Sequence, residues 1–397
     1  MDYGISRVRR SSKVIYEVEI MMTPRERYLE TLLFGKPDKI PFSPGGPRES
    51  TLAAWHQQGL PQGKNYMTAL YEILGIQPDH PKKPAVGLGV SFQMIPTFEE
   101  KVLEHKDGHY IVQDWMGAIT EISDRYDYTY IRAAKDFVTR KWHRFPVQIR
   151  EDWEKMKKRY NPDDPSRRPK DLKERCKAIQ DRDYIVGLHF NGPFWQLREW
   201  VGMENLCMLM LDDPGFVQEM VDFWTEFVSQ TMAPVLENAA IDSVGISEDM
   251  AFKGHSMISP KMARQFLLPA YKRWASEIRA SGCPLIDMDS DGFVGELIPV
   301  WIEAGINVCD PVEVAAENDI VEYRRSFGRK MAYTGGVDKR AIARGGKVLK
   351  QELERVIPPL LKDGGFIPGC DHGVPPDISW QNFIEYSRSL AKMTGWL

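Results

Sequence analysis

The sequence predicts an α/β chain, a (β/α)8 TIM barrel with an antiparallel, β-rich insertion in its N-terminal half. Three observations lead there. Five times in the second half, a β-type apolar run ends in a tight polar cluster and a helical pattern follows. The clusters are Ser247-Glu248-Asp249, Asp289-Ser290-Asp291-Gly292, Asp310-Pro311, Gly335-Gly336-Val337-Asp338 and Cys370-Asp371-His372-Gly373. A sixth, His189-Phe190-Asn191-Gly192, lies just upstream. Strand, polar tip and helix at this rhythm describe a parallel sheet. In a barrel the strand tips converge on one mouth, where the chemistry sits. Between about 92 and 145, in contrast, the rhythm breaks into short β-prone pieces around Asp107-Gly108, a hairpin signal.

Taken in order, residues 1–21 form an N-terminal arm, basic at Arg7, Arg9, Arg10 and Lys13 but with no apolar core or small-residue cleavage site of a secretion signal. Met21-Met22-Thr23-Pro24 reads as a natural start, with Thr23 as cap and Pro24 at the first helical position of a helix over 23–35. Lys39–Ser43 is expected as the first strand, opening into the loop Pro44-Gly45-Gly46-Pro47-Arg48. In the insertion, Val102-Leu103-Glu104 and Tyr110-Ile111-Val112 flank the hairpin turn, and Ala118–Ile122 and Tyr128–Ile131 are further β-prone pieces.

Residues 151–180 are charged and helical, broken by Pro162, Pro165 and Pro169, and read as a solvated connector. Asp213-Pro214 opens a helix with Phe216, Val217, Met220, Trp224, Phe227 and Val228 on one face. Ser259-Pro260 starts another, with a kink expected at Pro269. Leu349, Leu353, Val356 and Leu360 mark a third, ended by Gly364-Gly365. These stripes are core. The chain from 22 to 397 is thus one barrel with an insertion at about 92–180.

Composition sets the class. With 43% hydrophobic and 27% charged residues, the chain suits a soluble globular protein. A net charge of -4 offers no surface for a phosphate backbone, so nucleic acid is not an expected partner. No apolar run approaches the ~18 residues of a membrane span. The five cysteines are odd in number, scattered and free of C-x-x-C spacing, which points to a reducing, cytoplasmic setting. Phosphate-loop, dinucleotide, nucleophile-elbow and H-E-x-x-H motifs do not occur.

The strand tips supply the chemistry. By strict alternation, Asp287, Asp289 and Asp291 share one face. Two carboxylates this close repel, so one tends to keep its proton or to share a cation. Asp289 and Asp291 therefore suit a general acid, a divalent-ion site or a polar-substrate clamp, set against a plain turn with Gly292 at positive φ. Glu248 and Asp249 end the preceding strand and are expected to face Asp289 across the mouth. His372 at the last tip, His189 and Asn191 at the first, and Asp338 with Lys339 and Arg340 are further candidates. Arg48, in its Gly/Pro loop, is a candidate clamp for a carboxylate or phenolate. Cys370 is a candidate zinc ligand without a second cysteine at motif spacing.

Two stretches resemble a known family. Met22 through Tyr28 and Gly35 through Pro41 are similar to the opening of the uroporphyrinogen decarboxylase superfamily. The tips at 289–292 and 370–376, with Gly335-Gly336-Val337-Asp338, match its C-terminal half. The resemblance implies a single (β/α)8 barrel and either porphyrinogen decarboxylation or corrinoid-linked methyl transfer. Decarboxylases of the family carry an arginine-rich loop after the first strand; here Ser43 through Ser50 holds one arginine, Arg48. Thiol-methylating members hold zinc at a His-x-Cys-Gly tip and a later cysteine; here the first place reads Asp289-Ser290-Asp291-Gly292, and Cys370 alone fits the later one.

That exchange favours an oxygen-bearing substrate. The expectation is a corrinoid-protein-dependent methyltransferase acting on a small O- (or N-) methylated donor such as a methoxylated aromatic. Asp289, Asp291, Glu248 and His372 are expected as catalytic residues, and Arg48, His189, Asn191, Asp249 and Asp338 as substrate-binding ones. The corrinoid (cobalamin) rides on a partner protein. Zinc stays an open option, with Asp289, Asp291 and Cys370 (or His372) as ligands, and so does a homodimer. The alternatives are a decarboxylase of a pyrrole or other small carboxylate, and a non-catalytic small-molecule binding barrel.

Overall fold

A computed structural model describes residues 4–10, 13–19, 21–132, 136 and 138–397, with the backbone alone for 4–10 and 13–19. Within the expected N-terminal arm, β1 (Gly4–Arg10) and β2 (Lys13–Glu19) pair as an antiparallel ribbon. The other residues before Met21 lie outside the described residues. The first helix spans Pro24–Leu32. Thr23 caps it, accepting from the Glu26 amide while the Glu26 carboxylate accepts from the Thr23 amide.

The insertion is a four-stranded antiparallel sheet of β3 (Lys101–Lys106), β4 (His109–Gln113), β5 (Ile119–Ser123) and β6 (Arg140–Arg144). Asp107 and Gly108 turn β3 into β4 with φ of 50° and 77°, the left-handed pair that a two-residue hairpin requires. Tyr128–Ile131 is not a strand. The Asp127 carboxylate accepts from the Thr129 amide and folds that segment into a turn and the short helix Tyr130–Arg132.

The rest is organised by one six-stranded parallel sheet in chain order: β7 (Gly187–Asn191), β8 (Ser243–Ser247), β9 (Leu285–Asp289), β10 (Val308–Asp310), β11 (Ala332–Val337) and β12 (Phe366–Cys370). The expected helices connect them. Pro214–Leu236 buries Phe216, Val217, Met220, Trp224, Phe227 and Val228. Ser259 caps Pro260–Phe266, and the chain resumes at Leu268–Ala280 around Pro269. Gly346–Asp363 buries Leu349, Leu353, Val356 and Leu360 before Gly364. One contiguous apolar core joins these helices to the sheet.

One further expectation gives way. Lys39–Ser43 forms no strand: Lys39 lies in a bend, and Pro41 and Pro44 remove donors a ladder needs. The segment is tied instead by isolated bonds: Ile40 N to Thr394 O at 3.0 Å, Cys370 N to Pro44 O at 3.4 Å and Val374 N to Gly46 O at 2.8 Å. The 151–180 stretch is helical at Arg150–Lys157 and Leu172–Ala178; its charged face is solvated as expected, and its opposite face packs on the core. Trp153, Met156 and Tyr160 are buried, and the buried Arg167 guanidinium donates to the carbonyls of Asn161, Ser91, Gln93 and Arg159. All five cysteines are free, and no described helix is long and apolar enough to cross a membrane.

Candidate active site

Parallel pairing brings the polar tips to one end of the sheet. Asn191 pairs with Ser247, Ser247 with Asp289, Asp289 with Asp310, and Val337 with Cys370. Just beyond these ends lies a cavity of about 410 Å³ lined by Gly45, Gly46, Trp195, Asp249, Asp289, Asp291, Asp310, Pro311, Cys370, His372 and Gly373. It gathers acidic residues from three tips, the last tip and the loop after Pro44 in one place. Gly292 supports this wall with φ of 84°, where a Cβ would strike the Ala251 carbonyl at 2.3 Å.

Asp289 Oδ2 accepts from Ser247 Oγ at 2.7 Å, and Ser247 Oγ lies 2.9 Å from His189 Nε2. Burial pushes the Asp289 carboxyl up and Asp291 adds to the rise, while the Ser247 bond opposes it. Asp291 Oδ2 pairs with His372 Nε2 at 2.9 Å, and Arg48 Nη2 reaches His372 Nδ1 at 3.2 Å. A guanidinium only donates, so this arrangement selects the ring form with the proton on Nε2. The Asp291 bond, foremost, holds the His372 pKa above its ordinary value against burial.

Asp249 and Asp310 complete the acidic wall. Asp249 sits at φ 38°, receives the Asp291 amide at 3.2 Å, and is pushed up to about 6 by burial and then by Asp291. Asp310, bonded to Thr334 Oγ1, is pushed up to about 7 by burial, then by Asp289 and Asp291. Beneath them Asp287 has a buried Oδ1 without a partner among the described residues, and its carboxyl is raised by burial and by Asp310. A carboxyl raised on folding stabilises the fold fully below its unfolded value and loses that contribution as pH climbs through the folded one. Asp310→Asn is therefore expected to raise the melting temperature at pH 8 and to change it little near pH 4, as read by calorimetry across that range.

Other expected residues are placed elsewhere. Glu248 does not face Asp289: it is fully buried, accepts from the Trp195 amide at 2.8 Å and from the Tyr271 hydroxyl, and is pushed up to about 7 by burial. It holds the start of the Pro193–Val201 helix, and so the Trp195 wall, rather than substrate. Alternation explains this, since Ser247 points inward and its neighbour outward. Asn191 bonds Gln196 and is not among the lining residues. Asp338 caps Lys339–Arg344 and pairs with Arg340, while Lys339 pairs with Glu313. His189 reaches the cavity only through Ser247.

Among the described residues no group of three or more His, Cys, Asp and Glu side chains is arranged to hold a metal ion. Burial, then Asp371, pushes the Cys370 thiol up to about 12. The expected zinc ligands Asp289, Asp291 and Cys370 (or His372) are not gathered into such a group. Ser247, Asp310 and Trp195 are site residues that sequence reasoning did not single out. For the first two the signal existed, because both end strands whose tips are polar.

A parallel α/β sheet with an acidic strand-tip pocket is the class of protein that fold and site define. The profile of the family described as uroporphyrinogen decarboxylase matches residues 136–390, and the chain belongs to that family. Among solved structures, a methyltransferase from Methanosarcina mazei superposes with a TM-score of 0.54 at 15% identity, covering 93% of this chain and 98% of the other. A GH26 beta-mannanase from Bacteroides ovatus gives a TM-score of 0.31 at 12% identity over 55% of this chain and 71% of its own. No curated protein sequence matches significantly.

Proposed function

We propose that this chain is a corrinoid-protein-dependent methyltransferase that demethylates a small O-methylated (or N-methylated) donor, plausible donors being methoxylated aromatics, in the strand-tip cavity. The observation that carries the reading is the cluster of aspartates on one cavity wall, where burial and mutual repulsion raise Asp289 and push Asp249 up to about 6 and Asp310 up to about 7. A methoxy oxygen leaves poorly unless it gains a proton as its bond to carbon breaks, and a carboxylic acid at the oxygen supplies one. Asp289 is that acid. Arg48, His372 and Asp291 form a hydrogen-bonded chain of three side chains that orients the oxygen-bearing end of the donor. When the partner protein docks, its corrinoid supplies the cobalt(I) nucleophile for the methyl carbon.

Charge supports the choice over tetrapyrrole decarboxylation. Four aspartates line the cavity, while Arg48 alone stands in the loop where the resemblance calls for several arginines. A polycarboxylate substrate would find one arginine and little other positive charge to bind it there. In this reading the six parallel strands close into a (β/α)8 barrel through the extended segments near 40–46 and 86–92. The bonds of Pro44 and Gly46 to the end of β12 support the first closure, and the 5.0 Å contact between the Phe92 and Phe190 rings supports the second. The free cysteines suit a cytoplasmic setting.

The test is spectral. The protein is mixed with cobalt(I) corrinoid and a panel of aryl methyl ethers and methylamines, and methylcobalamin is followed by absorbance. Methylcobalamin formed with one donor class is the expected result. Carbon dioxide released from a pyrrole carboxylate without methyl transfer would replace the reading with decarboxylation. Tight ligand binding with neither product would make this a non-catalytic binding barrel.

A further inference from the structure

We propose that His189 and Ser247 form a proton relay that recharges Asp289 from solvent. The proposal rests on the reading of Asp289 as the acid of methyl transfer and assigns Ser247 a role beyond that reading. Its basis is a line of three side chains on three adjacent strands, β7, β8 and β9. Pairing of Asn191 with Ser247 and of Ser247 with Asp289 sets the serine between the other two. The hydroxyl donates to Asp289 Oδ2 at 2.7 Å, and its oxygen lies 2.9 Å from His189 Nε2, which donates to it when protonated.

Exposure runs the right way along this line. His189 is exposed, Ser247 is 6% exposed, and Asp289 sits among the mutually repelling carboxylates of the cavity. Asp289 is half-buried on the cavity wall; once donor and partner cover the mouth, Ser247 still joins it to the exposed imidazole on its other side. Gly245, the β8 partner of His189, makes room for the ring: a Cβ there would lie 2.6 Å from His189 Nδ1. The other titratable groups around Asp289 are Asp291 and His372 on the mouth side, Asp249 beside them, and Asp287 and Asp310 below and alongside.

The proton balance is closed. Asp289 gives its proton to the oxygen leaving the methyl carbon and becomes a carboxylate. It takes the Ser247 hydroxyl proton as the imidazolium of His189 passes its Nε2 proton to the serine oxygen. The neutral ring then picks up a proton from water. One proton moves from solvent to the departing oxygen, and nothing is oxidised or reduced.

Two measurements on the full chain test it. In the first, histidine side-chain NMR follows the His189 ring nitrogens through a pH titration. Asp289→Asn is expected to shift the His189 midpoint clearly more when Ser247 is present than in a Ser247→Ala background, where only the direct charge attraction remains. Equal shifts in both backgrounds overturn the relay. This readout needs no methyl donor, so it can fail or succeed independently of the methyltransferase reading. If Ser247→Ala does not fold, Gly245→Ala serves instead: it keeps all three side chains, displaces the ring, and is expected to abolish the same coupling.

The second uses the methylcobalamin assay. Ser247→Ala is expected to lower kcat by about 10²-fold with KM unchanged, and Ser247→Thr, which keeps the hydroxyl, to restore most of it. Added imidazole is expected to rescue His189→Gly but not the double variant His189→Gly/Ser247→Ala. Rescue of both, or full activity of Ser247→Ala, overturns the proposal.

Discussion

Asp289→Ala is expected to lower the rate of methylcobalamin formation by about 10²–10⁴-fold, the range a positioned general acid supplies, while the protein stays folded. Asp289→Asn is expected to match it, because an amide can hydrogen-bond the leaving oxygen but cannot protonate it. Stability moves the other way. The Asp289 carboxyl is raised by burial and by Asp291, so its contribution is present below the ordinary carboxylate value and is lost as pH climbs through the folded one. At pH 8 the ionised group is a cost, and both variants are expected to melt no lower than the parent. The wild-type rate is expected to fall as pH climbs through the folded value of Asp289, which lies above the ordinary carboxylate value. Rate and melting temperature taken on one sample decide the matter: an Asp289→Asn variant with nearly full activity ends the general-acid assignment.

Asp242→Ala is expected to be the most destabilising single change, at about 3–5 kcal/mol, because it strips the partner from a buried cation. Asp242 is fully buried and accepts from Arg25 Nε at 2.8 Å, Arg182 Nε at 2.9 Å and the Val186 amide at 2.8 Å. The Arg182 side chain is itself only 3% exposed. This knot ties the entry of β7 to the entry of β8, at the opposite end of the strands from the cavity. Its loss therefore shows first in the denaturant midpoint. A change below about 1 kcal/mol, the size a surface pair gives, would mean that the knot is solvated and the account wrong.

Much of the site was legible in the chain because turn chemistry is local. The polar ends of β7 through β12 are legible from the strand, tip and helix pattern, and eight of the cavity residues (Asp249, Asp289, Asp291, Asp310, Pro311, Cys370, His372 and Gly373) belong to those tips. The misreadings have particular causes. Glu248 gives its expected place to Ser247 because alternation along β8 turns the neighbour of an inward serine outward. Asp338 is engaged as a helix cap with Arg340, a role its position before Lys339 already allowed. Pro41 and Pro44 explain why a segment tied by single bonds to the end of β12 is not a strand. Trp195 had no local signal, because its place in the wall depends on Glu248, 53 residues away, holding its amide.

Periodicity and tip residues, properties of neighbours in sequence, determined the order of strands and helices, the hairpin at Asp107-Gly108 and the concentration of acids at one end of the sheet. Which side chains meet there was decided by tertiary structure. His189 and Ser247 are 58 residues apart and Ser247 and Asp289 a further 42, so their contact depends on the register of three separate strands. The protonation of the acids depends on water removed by packing from every side. Neither register nor desolvation is a property of any short stretch of chain, and both are settled when the strands assemble.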